Sequence, residues 1–227
     1  MQAIAEMVTP GNRIADIGTD HGYLPIWLLQ NGLVPYAIGM DIRKGPLEHA
    51  DTNMRLAQVS DKMELRLSDG LDALEKEEAD TIVISGMGGM MIRSILTNGY
   101  QKAIRAKELV LSPQSDIPVL RHYLRNHGFQ ITDEAVLMEA GKYYTIIKAI
   151  PASGSVTESA DLTFEDRYGP VLLKTRPEAY MQMLASQAAI NNDIIQQLES
   201  ASETKQNRKR LEDLYQTQTE IQNILCL

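Results

Sequence analysis

The sequence predicts an α/β protein: a mostly parallel sheet wrapped by helices as far as about residue 150, then an α-helical hairpin. Three observations carry this. Short apolar or β-branched runs alternate with amphipathic segments over the first part. Residues 151–159, Pro-Ala-Ser-Gly-Ser-Val-Thr-Glu-Ser, are small, polar and aperiodic, as a linker is. Beyond Pro177 the chain has neither glycine nor proline, and apolar residues recur at helical spacing. The expected domains are therefore 1–158 and 159–227.

Taken in order, a short apolar strand leads into Asp16-Ile17-Gly18-Thr19-Asp20-His21-Gly22-Tyr23-Leu24-Pro25, and a second strand closes on Asp41. Residues 63–68 read as a third strand ending at Asp69-Gly70. The continuous β-branched run 81–85 is a strand buried on both faces, ending in Gly86-Met87-Gly88-Gly89. Residues 109–112 form a fifth strand, and 118–126 a helix capped by Asp116 near its start and Gly128 beyond its end. Two strands, 129–138 and 143–150, flank Glu139-Ala140-Gly141-Lys142 as a hairpin. In the last part Tyr180, Leu184, Ala188, Ile194, Ile195 and Leu198, then Leu211, Leu214, Tyr215, Ile221, Ile224 and Leu225, mark two long helices. A break near 200–204 folds them into an antiparallel coiled coil.

The loops at the strand ends point to a nucleoside cofactor. A glycine turn from strand to helix brings backbone N–H groups to the ligand, and a carboxylate after the next strand grips ribose hydroxyls. Asp41 is that carboxylate. Dinucleotide sites read G-x-G-x-x-G so that backbone presses on a pyrophosphate; here the glycines stand at 18 and 22 with Asp20 between. A carboxylate there repels pyrophosphate but accepts hydrogen bonds from an ammonium, which favours S-adenosylmethionine over NAD. The cofactor set expected is Asp16, Gly18, Thr19, Asp20, Asp41, Ile42, Asp69, Gly70 and Gly86, with Asp69 on the adenine amino group and the acceptor over residues 86–89.

At 227 residues, 44% hydrophobic and 23% charged, the chain buries one good core and has residues left for an appendage. The single cysteine, Cys226, excludes a disulfide framework and a cysteine zinc site and fits a reducing compartment. His49, His122 and His127 lack metal-ligand spacing and read as helix-surface residues; no metal is expected. There is no membrane-length apolar run and no signal sequence, which reads as a cytoplasmic protein. A net charge of −8 argues mildly against nucleic acid but leaves room for a local basic patch.

The segments from Asp16 to Pro25, Ser85-Gly86-Met87-Gly88-Gly89, Ser112-Pro113-Gln114 and Glu139-Ala140-Gly141-Lys142-Tyr143-Tyr144, followed by the helical hairpin, resemble the bacterial tRNA (adenine-22 N1)-methyltransferases over essentially the whole chain. The resemblance implies a Rossmann-like class I S-adenosylmethionine methyltransferase sheet with an appended coiled coil, acting on N1 of an adenine in the D-loop region of tRNA. It also implies that the sequence starts inside a basic leader, which would weaken RNA binding, and that Asp41 stands where relatives have glutamate.

The residues agree with that chemistry. The Asn/Asp-Pro-Pro-aromatic loop of exocyclic-amino methylation is absent. N1 of an unpaired adenine has an in-plane lone pair and needs no strong base, so catalysis rests on alignment and electrostatics. The catalytic candidates are Asp20, His21, Tyr23, Gly86, Met87, Gly88, Gly89 and Gln114. Asp20 touches either the base or only the cofactor. A flipped base could stack on Tyr23, His21, Tyr143 or Tyr144. Against this, Tyr23 could pack on the sheet, His21 could bond to backbone, and one of Tyr143 and Tyr144 should be core. Gln114 reads an adenine edge or caps a turn; Met87, Met90 and Met91 read as packing. RNA phosphates could meet Arg121 and Arg125, one helical turn apart, Lys142, or Arg208, Lys209 and Arg210. The coiled coil is an RNA-docking element, or else serves oligomerisation or internal packing, so monomer and homodimer both remain open. Other readings are a methyltransferase for a non-RNA acceptor, a non-catalytic S-adenosylmethionine-binding module with a partner on its coiled coil, and, third, a nicotinamide-dependent reductase.

Overall fold

A computed structural model describes residues 1–152, 159–200 and 204–226. The elements, in chain order, are α1 (Gln2–Met7), β1 (Ile14–Ile17), α2 (Tyr23–Gln30), β2 (Ala37–Asp41), α3 (Lys44–Leu56), β3 (Met63–Leu67), β4 (Thr81–Met87), α4 (Gly89–Asn98), α5 (Tyr100–Ala103), β5 (Glu108–Pro113), α6 (Ile117–Asn126), β6 (Phe129–Glu139) and β7 (Lys142–Pro151). They continue with α7 (Phe164–Tyr168), α8 (Leu172–Thr175), α9 (Glu178–Glu199) and α10 (Lys205–Cys226). The described chain forms two compact units: residues 1–135 with 144–171, and residues 136–143 with 172–227. The expected boundary at 158/159 falls at residues 153–158, outside the described ones.

Seven strands form one sheet in the order β3-β2-β1-β4-β5-β7-β6. β1 to β5 pair in parallel, and β7 joins β5 antiparallel. The mostly parallel sheet and the hairpin that the sequence pattern predicts are both present, with the hairpin finishing the sheet. β1, β2 and β5 are buried along their whole length, as strands covered by helices on both faces must be. Ile82 and Ile84 of β4 and Leu109 and Leu111 of β5 are fully enclosed; truncating any one to alanine costs about 2–5 kcal/mol.

Ala140 (φ 50°) and Gly141 (φ 77°) both take the left-handed conformation that a two-residue hairpin turn requires. The capping expected of Asp116 is corrected. It occupies the N-cap position of α6 in the left-handed region (φ 53°), and its carboxylate makes no capping bond; Ser115 Oγ donates to it instead at 2.7 Å. α7, which went unread in the sequence, is held by a capping box between Thr163 and Asp166.

In the second unit α9 and α10 pack against each other. Tyr215 hydroxyl donates to Glu199, and Gln218 Nε2 to Asn192 Oδ1 at 2.9 Å, so the helices run antiparallel. The break itself involves residues 201–203, outside the described ones. Tyr180, Leu184, Ala188, Ile195, Ile221 and Ile224 are buried as expected, whereas Tyr215 is exposed. Two polar residues, Asn191 and Gln218, are buried among them. Among the described residues no helix is long and apolar enough to cross a membrane.

Candidate active site

The strand order reverses direction between β1 and β4, and ligands of open parallel sheets lie beyond the carboxyl ends at that point. The register makes the ends level: Ile17 stands beside Met40 and Ile84, Met40 beside Arg66, and Ile84 beside Leu111. Loops following β1 to β5 therefore open onto one end of the sheet.

A cavity of about 610 Å³ lies there, bounded by Gly18, Asp41, Ile42, Asp69, Gly70 and Gly88. Gly18 has φ +74°, and a Cβ on it would sit 2.3 Å from Met87 Cε; no other residue fits that turn. Asp41 is 6% exposed. The Arg43 backbone N–H donates to its Oδ1 at 2.9 Å, which fixes the carboxylate at the strand end. Ser68 hydroxyl donates to the Gly70 carbonyl at 2.9 Å and accepts from Ala73 N–H at 3.0 Å, stapling the turn that presents Asp69. Ile42 is exposed beside Asp41 and offers an apolar face to a planar ring.

On β1, Asp16 is 4% exposed, and its burial pushes the carboxyl up to about 6, with the charge of Asp41 adding to the shift. The Thr19 hydroxyl tempers that shift, yet its Oγ1 is buried without a well-formed hydrogen bond. The buried Asp16 carboxyl, the orphaned Thr19 hydroxyl and the three carboxylates that line the cavity, Asp41, Asp69 and Asp72, suit a ligand rich in hydroxyl and ammonium donors. They do not suit a pyrophosphate. S-adenosylmethionine fits this donor set.

On the acceptor side Gly86 (φ +77°) marks a register slip between β4 and β5, from Ser85 opposite Ser112 to Met87 opposite Pro113. Gln114 N–H donates to the Met87 carbonyl at 2.9 Å, and Gly89 N–H to the Ser115 carbonyl at 2.8 Å. A Cβ on Gly89 would lie 2.6 Å from the carbonyl oxygens of Ser115 and Asp116. Gln114 Nε2 lies 3.9 Å from where a Gly86 Cβ would be, so these two candidate residues are neighbours.

Asp20 is exposed in the left-handed region (φ 50°), with its Oδ2 3.7 Å from His21 Nε2. Tyr23 is 59% exposed, which rules out packing on the sheet. His21 stacks on it at 5.3 Å between ring centroids, 16° from parallel, and lies 5.1 Å from the His49 ring. Asp16, Thr19, Asp20, His21, Tyr23, Gly86, Gly89 and Gln114 do not themselves line the cavity, whereas Met87 does.

Four expectations need correction. Met91 is exposed and lines the cavity, and Met90 is exposed too, so neither is packing. Neither Tyr143 nor Tyr144 is core; both are half-buried. Arg121 cannot meet phosphate: it is 4% exposed, and its Nε donates to Glu134 Oε1 at 2.8 Å. Arg125 Nη2 donates to Asp166 Oδ2 at 2.8 Å and, like His122, belongs to the anchor of α7 on α6 rather than to an open helix surface. Arg121 and Arg125 do share one face of α6, but charge spacing alone does not say which face a neighbour covers.

Lys142 is exposed at the hairpin turn. Lys209 and Arg210 are exposed and line an open recess of about 520 Å³ on α10 with Lys205 and Asp213, next to exposed Arg208. Sequence reading missed Ser94 and Asn98, which line the cavity with Met91. Their i, i+3, i+7 spacing after the glycine loop was the available signal.

Residues 1–147 match the family described as "Methyltransferase domain". A Bacillus subtilis tRNA (adenine(22)-N(1))-methyltransferase is 30% identical over 215 residues, covering 94% of this chain and 90% of the relative. The crystal structure of the B. subtilis m1A22 tRNA methyltransferase TrmK superposes with a TM-score of 0.86 at 29% identity, covering 99% of this chain and 96% of that one. A Streptococcus pneumoniae protein assigned to the tRNA (m1A22) methyltransferases, solved in complex with S-adenosyl-L-methionine, superposes with a TM-score of 0.83 at 31% identity, covering 99% and 97%.

Proposed function

The chain belongs to the tRNA (adenine(22)-N1)-methyltransferase family, and on that premise we propose how its own residues transfer a methyl group from S-adenosylmethionine to N1 of adenine 22 in tRNA. The observation that carries the reading is the convergence of Gly18, Asp41, Asp69 and Gly88 on one cavity at the point where the strand order reverses.

Asp41, fixed by the Arg43 N–H, holds the ribose hydroxyls. Asp69 accepts from the adenine amino group of the cofactor, with Ile42 and Met91 against the ring. Asp16 and the Thr19 hydroxyl serve the ammonium end behind the Gly18 turn. S-adenosylmethionine supplies an electrophilic methyl: the N1 lone pair forms the new N–C bond, the S–C pair returns to sulfur, and the positive charge passes to the adenine. No residue has to remove a proton first. The chain's task is therefore to align N1 over the Gly86–Gly89 loop and to favour cationic product, for which the Asp20 carboxylate stands open. The His21–Tyr23 stack offers a face for the unstacked base. Lys205, Lys209 and Arg210 on α10 offer phosphates a docking surface. The enzyme works in the cytoplasm, where its tRNA substrate is.

The test is incubation with labelled S-adenosylmethionine and unmodified bacterial tRNA, then nucleoside digestion and mass analysis. N1-methyladenosine in a D-loop fragment is the expected product. Label in another nucleoside, or none in RNA despite cofactor binding, would refute the reading.

A further inference from the structure

We propose that Asp116, held by Ser115 against the Gly86–Gly89 loop, recognises the 6-amino group of the target adenine and so selects adenine over guanine. The proposal rests on the reading above that N1 of an unpaired adenine is the methyl acceptor.

The geometry builds this position with some care. β4 and β5 are neighbouring parallel strands, and the slip at Gly86 throws one loop towards the other. Two backbone bonds, Gln114 N–H to Met87 and Gly89 N–H to Ser115, then tie the loops together. A Cβ on Gly88 would lie 2.9 Å from Ser115 Oγ and 4.0 Å from Asp116 Oδ2. Gly88 also lines the cofactor cavity. The Ser115–Asp116 pair thus stands directly beside a residue that lines the cofactor cavity.

Asp116 adopts a backbone conformation that costs a non-glycine residue about 1 kcal/mol or more. It gains no capping bond in return. Among the described residues its carboxylate accepts one side-chain bond, from Ser115 Oγ at 2.7 Å, and both side chains are exposed. An ionised carboxylate has roughly four acceptor sites, so capacity remains for a base.

An acceptor-only group placed at the C6 substituent reads adenine over guanine there. Adenine presents a lone pair at N1 flanked by an amino donor at C6; guanine presents a carbonyl at C6, which a carboxylate repels, and its own donors, N1–H and the 2-amino group, lie towards the C2 side. Methylation spreads positive charge onto the amino group, so its bond to the carboxylate strengthens as the reaction proceeds and lowers the barrier. Gln114 cannot discriminate in this way, because its amide both donates and accepts.

The experiment is a cycle between protein and base. Asp116→Asn keeps the size, tolerates the left-handed conformation and replaces an acceptor oxygen with a donor. Transcripts carry either adenosine or purine riboside, which lacks the amino group, at position 22. Single-turnover rates are read at saturating S-adenosylmethionine, with S-adenosylhomocysteine affinity and thermal midpoint as controls. Asp116→Asn should slow methylation of the adenosine transcript about 10- to 100-fold, while changing cofactor affinity less than about twofold. On the purine riboside transcript the same substitution should cost less than about threefold, because the group it reads is gone. The lower intrinsic reactivity of purine riboside affects both enzymes equally and cancels. An unchanged rate on adenosine, or equal losses on both transcripts, would overturn the proposal alone. A wild-type enzyme that binds S-adenosylhomocysteine yet leaves the adenosine transcript unmethylated would overturn the acceptor assignment, and the proposal with it.

Discussion

At the scale of single residues, Asp16 is a carboxyl whose burial costs stability. Its carboxyl is raised to about 6 by burial, above its ordinary value of 3.8. A group raised in the folded state stabilises most when neutral; that contribution is complete below about pH 4 and is lost as pH rises through 6. Asp16→Asn should therefore be more stable than wild type at pH 7, by about 2–3 kcal/mol, with the difference vanishing towards pH 4 in urea titrations. The same variant should bind S-adenosylmethionine at least tenfold more weakly; unchanged affinity would remove Asp16 from the cofactor site. Asp41→Ala should chiefly raise the cofactor dissociation constant. Asp20→Ala should lower turnover even at saturating cofactor; losses that disappear at high cofactor would make Asp20 a cofactor ligand only. Burial is what separates the three carboxylates: Asp16 and Asp41, within strands near their carboxyl ends, are enclosed, and Asp20, in the turn beyond β1, is exposed.

At the scale of elements, the anchor between α6, β6 and α7 replaces a surface that the sequence made look like an RNA patch. Glu134 has no exposed side-chain surface, accepts from Arg121 Nε at 2.8 Å and from Val171 N–H at 2.9 Å, and lies against Gly169. Arg121→Met takes away the guanidinium from which this buried carboxylate accepts and should cost about 3–5 kcal/mol in urea unfolding. Replacing both partners with apolar residues should recover most of the loss, since the penalty is desolvation rather than a missing attraction. If Arg121→Met instead leaves stability intact and weakens tRNA binding, the original phosphate role returns. The basic recess on α10 gives the opposite expectation. Lys209→Glu with Arg210→Glu should raise the Michaelis constant for tRNA about tenfold and flatten its salt dependence, leaving S-adenosylhomocysteine binding untouched. Equal activity at all salt concentrations would assign α10 to assembly or internal packing.

At the scale of the whole molecule, two compact units share one chain, and the cavity belongs entirely to the first. S-adenosylhomocysteine at one hundred times its dissociation constant should stabilise that unit by about 2.7 kcal/mol, roughly 5–10 °C in its thermal midpoint. Where the helical unit melts as a separate transition, that transition should stay in place; a ligand shift confined to the helices would put the site elsewhere. The sequence by itself determined the run of strands, the glycine turn after the first of them, the carboxylates at 16, 41 and 69 near strand ends, and the two long helices, because periodicity and strand-end chemistry are local properties written within a few residues. The tertiary structure decided what lies against what. It turned Arg121 inward to Glu134, left Tyr23 and Met91 exposed, and set Ser115 and Asp116 beside Gly88. Those outcomes depend on pairings between segments distant in the chain, and the spacing of residues within one segment carries no information about which partner will cover it.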